Sequence, residues 1–326
     1  MNKRRFGKTN AMIAELGLGT WQLGTKWGEE FNAVEAKNIL QTAYDHGINF
    51  IDTADVYNDG NSERAIGEFI KGKNDGMFIT TKLGRSLNPH TDAMYTKHAV
   101  SSFVEGSLHR LGVDKIDMVL LHCPPTSVYK KDEVFTALDN LKQIGKISNY
   151  GVSIEKTDEG IQAMEYDIAA IEVIFNMFRL KPCEDLFTSA KENDVGIIAR
   201  VPLASGMLTG KYTKDTVFGK DDHRSYNRNG AAFDKGETFS GVDYNLGLQA
   251  VEELKKLFGT DDLIPYSLKW ILMFDAVSVV IPGASTASQV ISNIRATQIP
   301  NLTSEQMDGV KAIYDTYIKA SVHSLW

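Results

Sequence analysis

The chain has 326 residues, enough to bury a large core, and its 35 Lys and Arg against 42 Asp and Glu leave a formal net charge of -7. That balance gives no basic footprint for nucleic acid or an anionic membrane surface, and nowhere do about 18 apolar residues run together to span a bilayer. Gly7-Lys-Thr-Asn stands where an export signal would need an apolar run, and Cys123 and Cys183 have neither metal-ligand nor disulfide-framework spacing, so a cytoplasmic protein is expected.

Short apolar runs alternate with longer amphipathic stretches, the pattern of successive βαβ units around a parallel sheet. Residues 4–6 and 11–15 can pair as a hairpin, and Leu16-Gly-Leu-Gly-Thr20 reads as the first strand. Its helix falls at 34–46, where Ala36, Ile39, Leu40, Ala43 and Tyr44 share a face. Strand two, 48–52, leads to a helix at 61–71 opened by Asn61-Ser62-Glu63, a cap with a carboxylate in the first turn. Strand three spans 77–81, and helix three, 96–111, stops at Gly112. Strand 116–121, helix 132–144, strand 148–153 and helix 157–164 follow, then strand 170–174, helix 183–193 and strand 196–199.

From Lys211 to Val242 the chain is polar and rich in Gly, Asn, Asp and Arg, too long for an ordinary connection and expected to be a functional loop. Helices at 243–258 and 263–273 precede strand eight, 277–281, and helices at 287–293 and 303–319 follow, the last beginning with the capping pattern Thr303-Ser-Glu-Gln. Eight strands with eight helices predict an α/β fold, a (β/α)8 or TIM barrel of one domain with a short N-terminal hairpin and an extra C-terminal helix. Its active site would lie at the C-terminal ends of the strands. A doubly wound sheet would need Gly-x-Gly-x-x-Gly after its first strand, and Gly17-Leu-Gly-Thr-Trp21 does not supply it.

Three consecutive strands finish on titratable residues: Asp52 with Tyr57 five residues on, Lys82, and His122. Side by side and parallel, they would bring these four groups to one mouth. An unperturbed phenol has a pKa near ~10 and needs help to give up a proton at neutral pH. A nearby ammonium stabilises the phenolate and a carboxylate holds the ammonium in place, roles that fit Lys82 and Asp52. An imidazole N–H at His122 could orient and polarise a carbonyl oxygen. Each residue also has a purely structural reading: an Asp52–Lys82 ion pair closing the barrel top, a packed Tyr57, a satisfied strand-end His122.

Seven short patterns, in order along nearly the whole chain, resemble the aldo-keto reductase superfamily: Gly17-Leu-Gly-Thr-Trp21, Phe50-Ile-Asp-Thr-Ala-Asp-Val-Tyr57, Ile79-Thr-Thr-Lys82, Leu120-Leu-His-Cys-Pro124, Tyr150-Gly-Val-Ser153, Pro202 to Lys211, and Ile281-Pro-Gly-Ala-Ser. The resemblance implies a barrel that binds an extended nicotinamide dinucleotide without a Rossmann domain. It makes Tyr57 the general acid, Lys82 the group lowering its pKa, Asp52 the partner of Lys82, and His122 the residue that positions the substrate carbonyl.

For the cofactor, the resemblance points to Thr20 and Trp21 near the nicotinamide ribose, and to Ser153 and Glu172 at the carboxamide. Arg200 would stack on the nicotinamide ring. Pro202, Leu203, Ala204, Ser205, Gly206 and Lys211 would wrap the pyrophosphate, with Arg224 or Arg228 closing over it or simply solvated. Gly283, Ser285, Gln289 and Asn293 match the adenosine end, with Arg295 just beyond. Three positions depart from the family's pattern: Ile154 replaces an Asn, Glu172 a Gln, and Arg200 an aromatic residue. Glu172 can accept from the carboxamide NH2 but cannot donate to its carbonyl, whereas a guanidinium plane can stack as an aromatic ring does. Cys123, beside His122, holds a variable slot, and both cysteines read as ordinary thiols.

The resemblance thus implies reduction of small aldehydes or ketones with NADP(H), NAD(H) being the alternative, on a small-molecule substrate. A second reading is a cofactor-binding regulatory protein, since the potassium-channel β subunits resemble this chain; that branch typically has Asn at the position of His122. A metal-dependent barrel hydrolase would need carboxylate and His ligands at several strand ends, and here Lys82 fills strand three. Trp21, Trp27, Tyr57 and Trp326 point to a partly apolar substrate pocket.

Overall fold

The computed structural model describes residues 1–73 and 76–326. Eight parallel strands follow one another around the sheet: β1 (Leu18–Gly19), β2 (Phe50–Asp52), β3 (Phe78–Leu83), β4 (Ile116–His122), β5 (Ile147–Ile154), β6 (Ala170–Ile174), β7 (Gly196–Arg200) and β8 (Val277–Val280). Parallel bridges from Leu16 to Val280 and from Gly19 to Gly283 join the first strand to the last. At this seam the Gly17 amide donates to the Val280 carbonyl at 2.8 Å and the Val280 amide to the Glu15 carbonyl at 3.0 Å. A Cβ at Gly19 would stand 2.9 Å from the Ile281 carbonyl oxygen, so the closure needs glycine there. The expected (β/α)8 barrel is the fold.

The helices that cover it are α1 (Ala33–Asp45), α2 (Asn61–Ile70), α3 (Lys97–Leu111), α4 (Asp132–Gln143), α5 (Thr157–Ala163), α6 (Leu186–Glu192), a short α7 (His223–Tyr226), α8 (Tyr244–Phe258), α9 (Ile264–Leu272), α10 (Ala287–Ile294), α11 (Ser304–Ile313) and α12 (Lys319–Val322). Several boundaries differ from the sequence reading for local reasons. Asn61 is inside α2 rather than capping it, because Gly60 takes the cap position at φ 79°. Helix six begins at Leu186, since Pro182 sets up a separate tight turn over Lys181–Cys183. β3 runs on to Leu83, which puts Lys82 within the strand.

The last predicted helix is interrupted. After α11 the chain makes a wider π turn over Tyr314–Ile318 before α12. Val310, Tyr314, Ile318 and Val322 are all buried, a spacing of four that overshoots an α-helical turn by about 40° at each step. The wider turn takes back that drift and keeps the four on one face. The Thr303 capping box forms as read, with the Gln306 side chain accepting the Thr303 amide at 3.0 Å.

Two apolar regions result. One lies between strands and helices; the other fills the lower barrel interior with Phe6, Phe50, Phe78, Met118, Leu120, Ala170, Ile198 and Val279. Phe6 comes from the N-terminal hairpin, whose strands Lys3–Arg5 and Met12–Ala14 pair antiparallel. Its ring meets Phe50 and Phe78 edge-on at 5.5 and 5.4 Å, sealing the floor. Arg4 fastens the hairpin across the seam, donating to the Val277 carbonyl at 2.7 Å and pairing with Glu15 at 3.3 Å. Phe6→Ala should therefore leave a void under the barrel and lower stability by about 3–5 kcal/mol, read as a lower urea midpoint with an unchanged slope.

Candidate active site

Alternate residues of a strand face the same side of the sheet. Phe50, Phe78, Leu120, Ala170 and Ile198 face the interior. The same parity turns Asp52, Lys82, His122, Glu172 and Arg200 inward above the apolar floor, Lys82 two alternation steps past Phe78 and the others one step past their floor residue. Lys82 is fully buried, and its Nζ donates to Asp52 Oδ2 at 2.6 Å, to the Thr53 carbonyl at 3.1 Å and to the Tyr57 hydroxyl at 3.2 Å. The Tyr57 and His122 rings meet edge-on at 5.9 Å. Four strand-end groups read from the sequence are thus brought to one point.

The layer continues past Lys82. Glu172 Oε2 lies 3.5 Å from Lys82 Nζ, and Ser153 Oγ donates to Glu172 Oε1 at 3.4 Å. Arg200 donates to the Ile154 carbonyl at 3.2 Å, pairs with Glu155 at 3.1 Å, and stands 3.8 and 3.7 Å from Glu172 and Glu237. Arg85 also approaches Glu237, at 3.8 Å. Cys123, Glu155 and Glu237 gather their ligand-type atoms within 4.8 Å of one another, but the cation among them is Arg200, whose NH2 lies 3.5 Å from Cys123 Sγ.

Burial sets the electrostatics. It pushes the Tyr57 phenol up, and the Lys82 ammonium opposes the rise without cancelling it, so the hydroxyl keeps its proton. Lys82 acts on the phenol in the expected, lowering direction, but desolvation outweighs it. Burial alone would lower Lys82, but Asp52 and then Glu172 outweigh it and raise its pKa. Asp52 is itself raised, by burial and then by Glu172. His122 is held neutral, lowered by burial and then by Lys82 and Arg85. Burial raises the Cys123 thiol well above its ordinary value, in keeping with an inert thiol.

A cavity of about 720 Å³ opens over this layer and extends as a groove across the strand ends. Thr20, Trp21, Asp52, Tyr57, His122, Glu172, Arg200, Pro202, Leu203, Ser205, Gly206, Lys211, Arg224, Gly283, Gln289 and Asn293 line it. Lys82, Ser153 and Ala204 are buried behind that wall rather than lining it. Ser285 is also off the wall, its amide and hydroxyl both directed to the Gln289 side-chain oxygen. Arg228 lies against the rings of Tyr244, Phe218 and Phe239, outside the cavity. Arg224 pairs with Asp222 at 2.5 Å and bonds the Tyr212 hydroxyl, which holds it beside Ser205. Arg295 is tied to Asp262 at 2.6 Å.

Sequence reasoning missed Arg85 and Glu237 on the cavity wall, and the ring wall of His223, Tyr226 and Phe233. Trp21 packs on Trp27, His223 and Phe233 at 5.0, 5.2 and 6.0 Å. All but Arg85 come from the segment flagged as a functional loop, so its length was the available signal. Arg85, three residues past Lys82, carried none. The backbone between β7 and Lys211 is strained: Val201, Ala204 and Ser205 have φ of 50°, 46° and 56°, a region costly for residues with a Cβ. Such outliers concentrate where a ligand is held.

The polar groups fit a nicotinamide dinucleotide. Asp52 Oδ1, Glu172 Oε2, His122 Nδ1 and Arg200 Nε are buried without a hydrogen-bond partner among the described residues, and all four residues line the cavity. Lys211 and Arg224 supply cations farther along the groove. The profile of the Aldo/keto reductase family matches residues 15–315, and the chain belongs to that family. The uncharacterized oxidoreductase YqkF of Bacillus subtilis is 30% identical over 316 residues, 96% of each chain. A probable voltage-gated potassium channel subunit beta of Arabidopsis thaliana is 28% identical, again over 96% of each chain. The solved glycerol dehydrogenase AKR11B4 of Gluconobacter oxydans superposes with a TM-score of 0.79 at 28% identity, over 97% of this chain and 96% of that one. The protein is an NAD(P)H-dependent oxidoreductase by family, and no helix among the described residues is long and apolar enough to cross a membrane.

Just past the end of β2 lies Asp55, whose carboxyl is raised to about 7 by burial and then by Glu63. In the unfolded chain an Asp ionises near ~3.9, so between these values the folded form keeps a proton that the unfolded form has lost. Stability contributed by that proton declines as pH rises toward about 7 and stays low above it. Asp55→Asn should remove this decline: wild type should lose roughly 2–3 kcal/mol more than the variant between about pH 5 and pH 8, measured by chemical denaturation.

Proposed function

We propose that the protein reduces aldehydes or ketones to alcohols with NADPH, Tyr57 donating the proton to the carbonyl oxygen. The observation that carries this reading is the unbroken contact from Asp52 through Lys82 to the Tyr57 hydroxyl, 2.6 and 3.2 Å, at the mouth of one cavity. When bound, the reduced nicotinamide supplies a hydride. Tyr57 has the proton to give, since a phenol is protonated at neutral pH and burial raises its pKa further. Lys82 compensates the phenolate left behind, and Asp52 fixes Lys82. A neutral His122 can donate an N–H to the carbonyl oxygen without competing as an acid.

Glu172 Oε2 is the acceptor for the carboxamide NH2, with Ser153 orienting that carboxylate, and Arg200 borders the nicotinamide subsite. Lys211, Arg224 and the strained segment from Pro202 to Gly206 hold the pyrophosphate. Gly283, Gln289 and Asn293 hold the adenosine end beside the N-terminus of α10, which favours a 2′-phosphate, with Ser285 fixing the Gln289 side chain from behind. The ring wall of Trp21, Trp27, His223 and Phe233 favours carbonyl compounds with an apolar face, while Arg85 and Glu237 offer a polar side. We read the chain as one domain that works in the cytoplasm. Likeness to the potassium-channel subunit supports a second reading, a regulatory cofactor-binding protein, and His122 weighs toward the enzyme.

NADPH and NADH titrations by fluorescence, followed by cofactor consumption with a panel of aldehydes, dicarbonyls and ketones, test this reading. Tight NADPH binding with turnover is expected; binding without turnover on any substrate would transfer the weight to the regulatory role. Tyr57→Phe should cut turnover by about 100-fold or more while leaving cofactor affinity nearly intact.

A further inference from the structure

Lys82 is caught between two carboxylates. Asp52 Oδ2 approaches at 2.6 Å from one side and Glu172 Oε2 at 3.5 Å from the other, with the three side chains 0%, 3% and 2% exposed. Two buried carboxylates on one buried cation carry an excess negative charge when both are ionised, a state that a low-dielectric interior does not leave uncompensated. Arg200 supplies the missing cation, its Nε 3.8 Å from Glu172 Oε1. Glu172 and Arg200 are also two of the three positions where the chain departs from the family's pattern, one toward an anion and one toward a cation. The two departures lie side by side and have opposite sign.

We propose that Glu172 and Arg200 are a compensating pair of positioning residues, Glu172 serving as a second counter-ion of Lys82 and Arg200 cancelling its charge, so that Lys82 is correctly held beside Tyr57 only when both are present or both absent. The proposal rests on the reading of Tyr57 as proton donor. The charged and titratable groups facing the pair are Asp52 and Tyr57 across Lys82, His122 beside them, and Cys123, Glu155 and Glu237 against Arg200. Arg85 lies beyond Glu237, and Arg179 lies beyond Glu155, whose carbonyl it bonds. Arg200 therefore has three carboxylates around it, Glu155, Glu172 and Glu237, and Glu172 is the one that connects it to Lys82.

The consequence is a non-additive pair. Removing the anion alone should make Lys82 and Tyr57 release protons more easily; removing the cation alone should do the reverse. The test compares wild type, Glu172→Gln, Arg200→Met and the double variant. Turnover should fall about tenfold or more in Arg200→Met and recover at least several-fold when Glu172→Gln is added, a coupling within the range measured for touching charged residues. The high-pH limb of the pH–rate profile should move to lower pH in Glu172→Gln, to higher pH in Arg200→Met, and return in the double variant. A merely structural role would lower turnover without moving the limb in opposite directions.

The thermal midpoint of the cofactor-free protein gives an independent arm: the double variant should melt above Arg200→Met. Losses that simply add in the midpoint, or limbs that stay put while turnover losses multiply, would overturn the pairing. Should wild type show no reductase turnover, the reductase reading fails, and the cofactor-free midpoints alone still decide for or against the pair.

Discussion

An ammonium group with no exposure to water sits near the top of this barrel, and the layer around it exists on the condition that the charge is matched. Lys82 reaches its position because β3 alternates sides from Phe78 upward, so the parity that fills the floor with rings also delivers a cation two steps higher, past Thr80. Once it is there, Asp52, Glu172 and the Thr53 carbonyl must lie within reach, and the Tyr57 hydroxyl becomes its remaining neighbour. The floor and the site are therefore one construction: an apolar plug excludes water from below, and that exclusion gives the charges above their strength.

Much of this could be read from the chain. The alternation of short apolar runs with amphipathic stretches specified the barrel because period two and period 3.6 are set by backbone geometry alone. Asp52, Lys82 and His122 were visible for the same reason, as polar residues breaking an apolar run at its end, and Tyr57 followed from its distance to Asp52. What could not be read was compensation. Whether Arg200 faces a ring, a carboxylate or water depends on Glu155, Glu172 and Glu237, which arrive from three places in the sequence. Burial was equally invisible, and it outweighs the lowering that Lys82 gives the Tyr57 phenol. The misplaced ends of helices had local causes: Gly60 ahead of Asn61, Pro182 ahead of α6, and a spacing of four in the last helix that only a wider turn could serve.

The segment after Lys211 shows a division of labour. Its polar composition marked it as a loop, yet His223 and Phe233 turn inward to join Trp21, while Arg224 is pinned by Asp222 and Tyr212. Glu237, from the same segment, enters the charged layer beside Arg200. One stretch of chain thus contributes to the apolar wall, the cationic groove and the ionic network at once. This explains why its length exceeds what a connection requires, and why its sequence looks featureless until it is folded.

Arg4 has a mechanical meaning for the whole barrel. A closed sheet has no free edges, and here the closure depends on a few hydrogen bonds between the short β1 and β8, with Arg4 spanning the join from Glu15 to Val277. Were that clasp released, the seam could part and expose two parallel strand edges, each able to template pairing with another molecule. The hairpin thus holds both sides of the join together. It couples residue 4 to residue 277, so that loosening at either side of the seam becomes an event of the entire barrel.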